Sequence, residues 1–376
     1  MAPPPLPPPS LIARPDALER MIEDLRAHPQ IAVDTESNSL FAYREQVCLI
    51  QFSTPTADYL VDPLSLEDIS ALRAIFADPS RQKIFHAAEY DLICIGRDFG
   101  FTCCSLFDTR VASRTLGRAL DGLGDLLQEE LGIHLDKKYQ RANWGQRPLP
   151  AELLDYARLD TRFLLPLRDR LAAALEAAGR TEEAREECER LALIHPPPNG
   201  FDPQGFWRMA NARRLGPPQS GALREVYLWR EETASREDRP PFKVMGDKTL
   251  LALAECLPGT PADLDRVPGM TPGQVRRYGR PVVAAIRRGR NSPPPQPPAF
   301  EPANESLLAR HEALRTWRKK TAERRGVESD VILPREVMLE IARVGPTTPE
   351  ELHRIMGPLH WRFRTYGAGI LRALGV

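Results

Sequence analysis

An internal repeat constrains the fold of this chain more than any other feature of its sequence. A shift of 88 residues aligns Trp229-Arg230 with Trp317-Arg318 and Tyr278-Gly279 with Tyr366-Gly367, without a gap. Many of the intervening pairs are conservative, and both copies show helical periodicity almost throughout. Residues 201–376 are therefore predicted to contain two copies of one small helical domain.

Each copy also carries the same signal for the start of a helix. Thr260-Pro261 in the first copy and Thr348-Pro349 in the second combine an N-cap residue with a proline at the first helical position. An acidic residue, Asp263 or Glu351, follows in the first turn. A helix is therefore expected at the same place in both copies.

Clusters of proline divide the chain into blocks. Such clusters form extended, semi-rigid segments rather than parts of a core. The N-terminal block alternates strand-like and helix-like patterns, which is typical of an α/β domain. The predicted organisation is a Pro-rich tail at 1–10, an α/β domain at 11–200, a first helical repeat at 201–290, a Pro-rich linker at 291–300 and a second repeat at 301–376.

Charge is unevenly distributed between the two halves. The whole chain has 51 Lys+Arg and 51 Asp+Glu, but residues 1–200 hold 22 basic and 31 acidic residues, and residues 201–376 hold 29 and 20. The basic half favours a polyanionic partner, although a surplus of this size is equally compatible with a solvated surface. Net charge is +6 in 201–290 and +3 in 301–376, so we expect the first repeat to contribute more to such binding.

Other features of the sequence indicate the class of protein. The sequence contains no run of about 18 apolar residues, which is the length that a membrane-spanning helix requires. The first ten residues lack the basic and apolar regions of a signal peptide. We therefore expect a cytoplasmic protein without a membrane partner. The six cysteines show no CxxC spacing and are expected to be reduced core thiols rather than zinc ligands or disulfides.

Two carboxylates follow the first buried strand of the α/β block. Ile31, Ala32 and Val33 precede Asp34 and Glu36, which strand alternation puts on one side of the strand. The β-rich segments 47–53 and 58–62 continue the sheet as an antiparallel meander. Two neighbouring carboxylates repel each other unless a cation lies between them, and a hard divalent ion suits oxygen ligands.

Three further polar residues extend this set. Asp91 lies near a predicted strand-to-helix junction, after the expected buried strand 83–86. The segment 151–167 has helical spacing, and Tyr156 and Asp160 are i and i+4 on one face of that helix. Taken alone, such a pair is more often a packed tyrosine and a solvated aspartate. The ordered set of five residues is more specific than its parts.

This set, with the elements K-x-x-Q-R, W-x-x-R-P-L and Y-A-x-x-D between residues 137 and 160, resembles the tyrosine-bearing subgroup of the DEDD exonuclease superfamily, and within it the ribonuclease D family. The paired repeats resemble the HRDC domains that follow the nuclease domain in bacterial members. The resemblance covers nearly the whole chain after the Pro-rich tail. It implies an α/β RNase H-like exonuclease domain followed by two all-α HRDC-like helical domains.

The resemblance further implies a metal-dependent 3′-5′ exoribonuclease that hydrolyses RNA 3′ ends with two divalent ions, Mg²⁺ or Mn²⁺. It implies that Asp34, Glu36, Asp91 and Asp160 are the ligands, with Asp34 bridging the ions, and that Tyr156 orients the attacking water. Glu89 is an alternative to Asp91, and helical spacing from an apolar face favours Asp91.

The expected partner is RNA, with tRNA precursors implied by the family. Counterion release by exposed basic side chains of the repeats would supply affinity, and the candidates are Arg276, Arg277, Arg280, Lys319 and Lys320. Tyr139 and Trp144 are candidates for stacking on a terminal base, with core packing favoured for Trp144. A 3′-5′ DNA exonuclease and a non-catalytic RNA-binding protein remain as alternatives.

Overall fold

The computed structural model describes residues 8–136, 138–197, 200–298 and 304–376. Most of the predicted Pro-rich tail, the end of the predicted linker, the first residues of the 301–376 block and Lys137 of the K-x-x-Q-R element lie outside the described residues. The described strands form one mixed sheet in the order β1-β4-β3-β2-β5-β6. They are β1 (Ser10–Ile12), β2 (Gln30–Ser37), β3 (Val47–Ser53), β4 (Asp58–Val61), β5 (Gln82–Phe85) and β6 (Leu106–Asp108).

The centre of the sheet is the predicted antiparallel meander of β2, β3 and β4. β5 pairs with β2 in parallel, and β6 pairs with β5 in parallel. β3 is buried along its whole length because it lies between β2 and β4 with both faces covered, as its nearly continuous apolar run predicts. β2 extends through Ser37, so Asp34 and Glu36 lie within the strand and not beyond its end.

Helices cover both faces of this sheet. They are α1 (Pro15–Ala27), α2 (Arg73–Phe76), α3 (Glu89–Phe99), α4 (Thr109–Thr115), α5 (Leu123–Leu131), α6 (Ala151–Ala157), α7 (Leu159–Arg162), α8 (Leu164–Ala177) and α9 (Thr181–Ala192), with a 3₁₀ turn at Ser70–Leu72. Apolar residues of α1, α2 and α3 pack with Val33, Ile50 and Phe52 on one face. Residues of α5 and α8 pack with Ala32 and Ile84 on the other.

The prediction of one helix over 151–167 is wrong, because the segment divides into α6, α7 and the start of α8. The Thr161 hydroxyl donates to the Arg158 carbonyl at 3.2 Å, and a bond of this kind bends a helix. Pro166 has no N–H to donate to the Arg162 carbonyl and its ring crowds that turn. The chain accordingly leaves helical geometry at Phe163 (φ −104°, ψ 2°).

The predicted repeat is confirmed in the helices of residues 201–376. Every corresponding element begins 88 residues later in the second copy than in the first. The first copy contains α10 (Pro217–Arg236), α11 (Pro241–Val244), α12 (Asp247–Cys256), a 3₁₀ helix (Pro261–Arg266) and α13 (Pro272–Asn291), preceded by 3₁₀ turns at Gly205–Arg208 and Ala212–Arg214. The second contains α14 (Glu305–Arg325), α15 (Ser329–Ile332), α16 (Arg335–Val344), α17 (Pro349–Met356) and α18 (His360–Leu374).

The two copies also share the aromatic contact at the centre of each core. Trp229 meets Tyr278 edge-on with ring centroids 5.5 Å apart, and Trp317 meets Tyr366 in the same way at 6.0 Å. Such tilted pairs are favoured by the charge distribution of aromatic rings. The repeated Trp and Tyr in the sequence are therefore explained by packing within each domain.

The chain divides into two compact units. Met1–Ser37, Val47–Pro197 and Pro302–Val376 form the first, and Asn38–Gln46 and Pro198–Glu301 form the second. The second unit contains the first repeat, and within it Tyr43 donates its hydroxyl to Glu231 and its backbone N–H to Asp238 at 3.0 Å. The first unit contains the α/β domain and the second repeat.

Ion pairs hold the second repeat on the α/β domain within that first unit. The Arg362 guanidinium lies 2.9 Å from the Glu186 carboxylate, and their side chains are only 1% and 5% exposed. Several carboxylates of α9 pair with arginines in this way: Glu182 with Arg364, Glu183 with Arg325, and Glu186 with Arg362. Three arginines of the second repeat are therefore paired with α9 inside the unit.

All six cysteines are free thiols, and four are buried as expected. Burial raises the pKa of the Cys103 thiol to about 12. Cys256 is exposed and Cys104 is partly exposed, so the prediction of core positions is wrong for these two residues. Among the described helices, none combines the length and apolar character that a membrane span requires.

Candidate active site

The site begins with the carboxylates of β2. Asp34 and Glu36 lie on one side of the strand, where their partners on β3 are Gln51 and Leu49. One carboxylate oxygen from each, together with one from Asp160, lies within 4.8 Å of the others. The structure therefore brings together three of the four carboxylates that the sequence singles out as ligands.

Asp160 reaches this point because α7 is short and fixed on the sheet. The Thr161 hydroxyl lies 2.8 Å from the hydroxyl of Ser53 on β3, and both groups are buried. Since Thr161 is the next residue after Asp160, this contact holds the carboxylate beside β2. The contact that fixes α7 on the sheet thus helps to place Asp160.

Asp91 lies outside the group of three, although it is close enough for its charge to act on Asp34. Its Oδ1 accepts the backbone N–H of Thr35 at 3.1 Å and the Thr35 hydroxyl at 2.5 Å. Thr35 lies between the two carboxylates of β2, so Asp91 is fixed directly against the site. Glu89, the alternative residue, is exposed. The assignment of Asp91 as a ligand stays a prediction.

The electrostatics of the cluster favour a bound cation. Burial, followed by repulsion from Asp91, Asp160 and Glu36, raises the pKa of Asp34 well above its ordinary value. Burial, together with Asp160 and Asp91, does the same for the pKa of Glu36. Burial raises the pKa of both Asp91 and Asp160 to about 7. A set of oxygen ligands under such repulsion fits a hard divalent ion, which removes the repulsion.

Tyr156 lies beside this cluster in an aromatic stack. Its ring meets Tyr139 edge-on at 5.7 Å and stacks on Trp144 at 6.3 Å between centroids. Burial and the nearby carboxylates raise the pKa of the Tyr156 hydroxyl, so it is protonated at neutral pH. Trp144 is 2% exposed, which agrees with the favoured core position and leaves its ring no open face for a base.

A cavity of about 420 Å³ opens over these groups. Its lining includes Gln140 of the K-x-x-Q-R element and two residues that the sequence did not single out, His86 and Arg110. His86 follows the last residue of β5, and its Nδ1 lies 2.9 Å from the Thr109 hydroxyl. Burial lowers its pKa. The available signal was a polar residue directly after a buried strand, where functional side chains commonly collect.

The predicted RNA-binding residues lie on one helix of each repeat. Arg276, Arg277 and Arg280 are exposed on α13, but Arg277 pairs with Glu237 at 2.8 Å. Lys319 and Lys320 are exposed on α14. Among the described residues, no carboxylate forms an ion pair with Arg276 or Arg280.

Comparison with known proteins agrees with this geometry. Residues 9–176 match the 3′-5′ exonuclease family, and residues 219–286 and 308–374 match the HRDC domain. The chain is 32% identical to ribonuclease D of Escherichia coli over 292 residues, which cover 76% of this chain and 77% of that protein. The crystal structure of that enzyme superposes with a TM-score of 0.71 at 26% identity and covers 98% of both chains.

A eukaryotic relative shares the same region. The chain is 37% identical to the exosome complex exonuclease RRP6 of Saccharomyces cerevisiae over 288 residues, which cover 72% of this chain. It spans only 39% of the length of the yeast protein and 47% of RRP6-like 1 of Arabidopsis thaliana. The match to the 3′-5′ exonuclease family, over residues 9–176, includes the strands and helices that carry the five candidate residues.

Proposed function

The chain belongs to the ribonuclease D family of 3′-5′ exonucleases, and on that premise we propose that it hydrolyses RNA from the 3′ end, one nucleotide at a time. One observation carries the proposal. Carboxylate oxygens of Asp34, Glu36 and Asp160 converge within 4.8 Å at the floor of an open cavity. Such a cluster is costly to maintain in a fold without a cationic ligand.

Members of this family depend on divalent metal, and the donor set here suits two ions, Mg²⁺ or Mn²⁺. Asp34, Glu36 and Asp160 would hold them, with Asp91 as the fourth ligand. When bound, two such ions activate a water molecule and stabilise the leaving 3′ oxygen of the cleaved phosphodiester. The family resemblance also implies that Asp34 would be the ligand shared by the two ions.

Two side chains would position groups around these ligands. Thr35 holds the Asp91 carboxylate through two hydrogen bonds, so this ligand does not need to be ordered when the substrate arrives. The Tyr156 hydroxyl keeps its proton at neutral pH because its pKa is raised. It can therefore donate a hydrogen bond to a water or a phosphate oxygen, and it is not suited to act as a base.

RNA affinity is proposed to come mainly from the first repeat. Arg276 and Arg280 are exposed without an ion-pair partner among the described residues and are one turn apart on α13. By contrast, the second repeat uses arginines such as Arg325 and Arg362 in ion pairs with α9. Contacts from free arginines to phosphates position RNA without reading its sequence.

The substrate is proposed to be structured RNA, with tRNA precursors as the first candidates, and the protein is proposed to act in the cytoplasm. The crystallised Escherichia coli relative is described as an exoribonuclease involved in structured RNA processing. The free arginines that support RNA binding would also bind DNA. Labelled RNA and DNA of the same sequence, digested under one salt condition, decide between the two polymers.

The decisive experiment follows a 3′-end-labelled tRNA precursor with and without divalent metal, resolved at single nucleotides. Asp34→Asn and Asp160→Asn should abolish nucleotide release while leaving RNA binding nearly intact. Glu89→Gln, which removes an exposed carboxylate just before Asp91, is the matched control and should retain activity. Wild-type activity in either aspartate variant would refute the metal assignment. Absence of hydrolysis in the wild-type protein would favour a non-catalytic RNA-binding protein.

A further inference from the structure

A buried glutamine opposite one of the carboxylates has no hydrogen-bond partner in the part of the chain that the structure describes. Gln51 lies in the middle of β3 and is 0% exposed. Neither Nε2 nor Oε1 of its side chain bonds to any described residue. A glutamine amide offers two donors and an acceptor, and burying them unpaired costs free energy. Such groups are rare in native proteins and indicate a partner that binds there, often a water or an ion.

The position of Gln51 in the sheet points to the Asp34 carboxylate as that partner. Gln51 lies directly opposite Asp34 in the antiparallel pair of β2 and β3. Residues so paired project from the same face of a sheet with Cβ atoms about 4.5–5.5 Å apart. The amide is therefore on the face of the sheet that carries the Asp34 carboxylate, on which the other three acidic groups act electrostatically. A rotation about the last, broad torsion of the glutamine side chain turns the amide toward or away from Asp34.

Ser53, the other buried polar residue on this face of β3, does have hydrogen-bond partners. Ser53, two residues farther along, is equally buried. Its hydroxyl donates to Asp58 at 2.7 Å and lies 2.8 Å from the Thr161 hydroxyl. The fold thus supplies partners for a buried polar group beside α7, and it leaves the amide beside Asp34 without one.

We propose that Gln51 is a positioning residue of the metal site. Its Nε2–H would donate to a carboxylate oxygen of Asp34, and its Oε1 would accept from a water in the site. This hydrogen bond would fix the orientation of the Asp34 carboxylate for metal binding. The inference rests on the proposed function, since it concerns the metal ligand of that site. Partners of this kind change metal affinity or activity about 10–100-fold when removed.

Gln51→Met tests the proposal, because methionine has nearly the same length and volume and no amide. The Mn²⁺ dissociation constant, measured by titration with electron paramagnetic resonance, should rise about 10–100-fold. Thermal unfolding in EDTA should be unchanged or shifted upward, because the unpaired amide is gone. In the exonuclease assay kcat should fall while KM for RNA changes little. Gln51→Asn keeps the amide one methylene shorter and should bind Mn²⁺ with intermediate affinity.

Leu60→Met is the matched control. Leu60 lies opposite Gln51 on β4, away from β2, and is equally buried. The control should bind Mn²⁺ like the wild type. Equal Mn²⁺ affinity in wild type and Gln51→Met would overturn the inference. So would a loss of stability in EDTA that matches the loss of metal binding, because the amide would then be bonded within the metal-free core.

The experiment also distinguishes a folding defect of the variant, a failure of the proposed function and a failure of the inference alone. If Gln51→Met does not fold, Gln51→Asn decides in the same way, with weaker Mn²⁺ binding in support and unchanged binding against. A wild-type protein that binds no Mn²⁺ would instead refute the proposed function and, with it, the inference that depends on it. A wild type that binds Mn²⁺ and degrades RNA, beside an unaffected Gln51→Met, would refute the inference alone.

Discussion

Removing one carboxylate from the active site should stabilise the metal-free protein even as it abolishes activity. Asp160→Asn is the informative change, since asparagine keeps the size of the side chain and removes its charge. Burial raises the pKa of Asp160 from 3.8 to about 7. The folded protein therefore binds more protons than the unfolded chain between these values, and the free energy of unfolding falls as pH rises through that window.

The size of the effect follows from this shift. A difference of about three pKa units corresponds to about 4 kcal/mol at a pH above both values. Partial exposure of Asp160 at the cavity reduces this figure, so we expect the variant to gain about 2–4 kcal/mol at about pH 8 in EDTA. For a domain of this size the gain corresponds to a rise in Tm of about 5–10 °C.

The measurement is thermal unfolding of wild type and Asp160→Asn in EDTA at about pH 8 and about pH 5. The gain should shrink at the lower pH, where the wild-type carboxyl is protonated in the folded protein. Saturating Mg²⁺ should reverse the order, because only the wild type keeps all its ligands. Asp155→Asn, which removes a largely exposed carboxylate from α6, is the control and should show no gain.

One result would refute the reasoning. If Asp160→Asn were less stable than wild type in EDTA at both pH values, its carboxylate would contribute favourable contacts in the metal-free fold. Burying this carboxylate without a cation would then carry no cost, and the case for a cation at this site would lose its electrostatic support.

Two predictions concern the packing of the repeats. Arg362→Met should destabilise the protein by about 3–5 kcal/mol in urea unfolding, because it leaves the buried Glu186 carboxylate unpaired; a loss below about 1 kcal/mol would mean that the pair is solvated. Gly289→Ala should lower the Tm of the first repeat, because the new Cβ would lie 2.2 Å from the Gly221 carbonyl oxygen, whereas Gly273→Ala in the same helix meets only a contact at 3.9 Å and should be tolerated.

Patterns among residues close together in the chain were sufficient to predict much of the fold and part of the candidate site. Strand alternation put Asp34 and Glu36 on one side of β2, and the structure agrees. The repeat predicted the helices of both C-terminal domains, because the same residues form the same core in each copy. Features such as Thr348 at an N-cap depend only on neighbours in the chain, here the backbone N–H of Glu351.

Contacts between distant segments could not be predicted in this way. The hydrogen bonds from Thr35 to Asp91 join residues 56 positions apart. The position of α7 on the sheet depends on a contact between Thr161 and Ser53, which are distant in the sequence. No periodicity reveals such pairs, because each requires two elements to be packed together first.

For the charges and for the residues of the active site, the contribution of the sequence can be distinguished from that of the tertiary structure. The sequence by itself determined which residue types were present, the order of the motifs, the repeat and the sign of each half, since these depend on composition and on spacing along one element. Only the tertiary structure decided which side chains interact. Arginines of the second repeat pair with carboxylates of α9, and Gln51 on β3 lies opposite Asp34 on the adjacent strand β2. Ion pairing and desolvation act over a few ångströms in space, and the fold alone sets those distances.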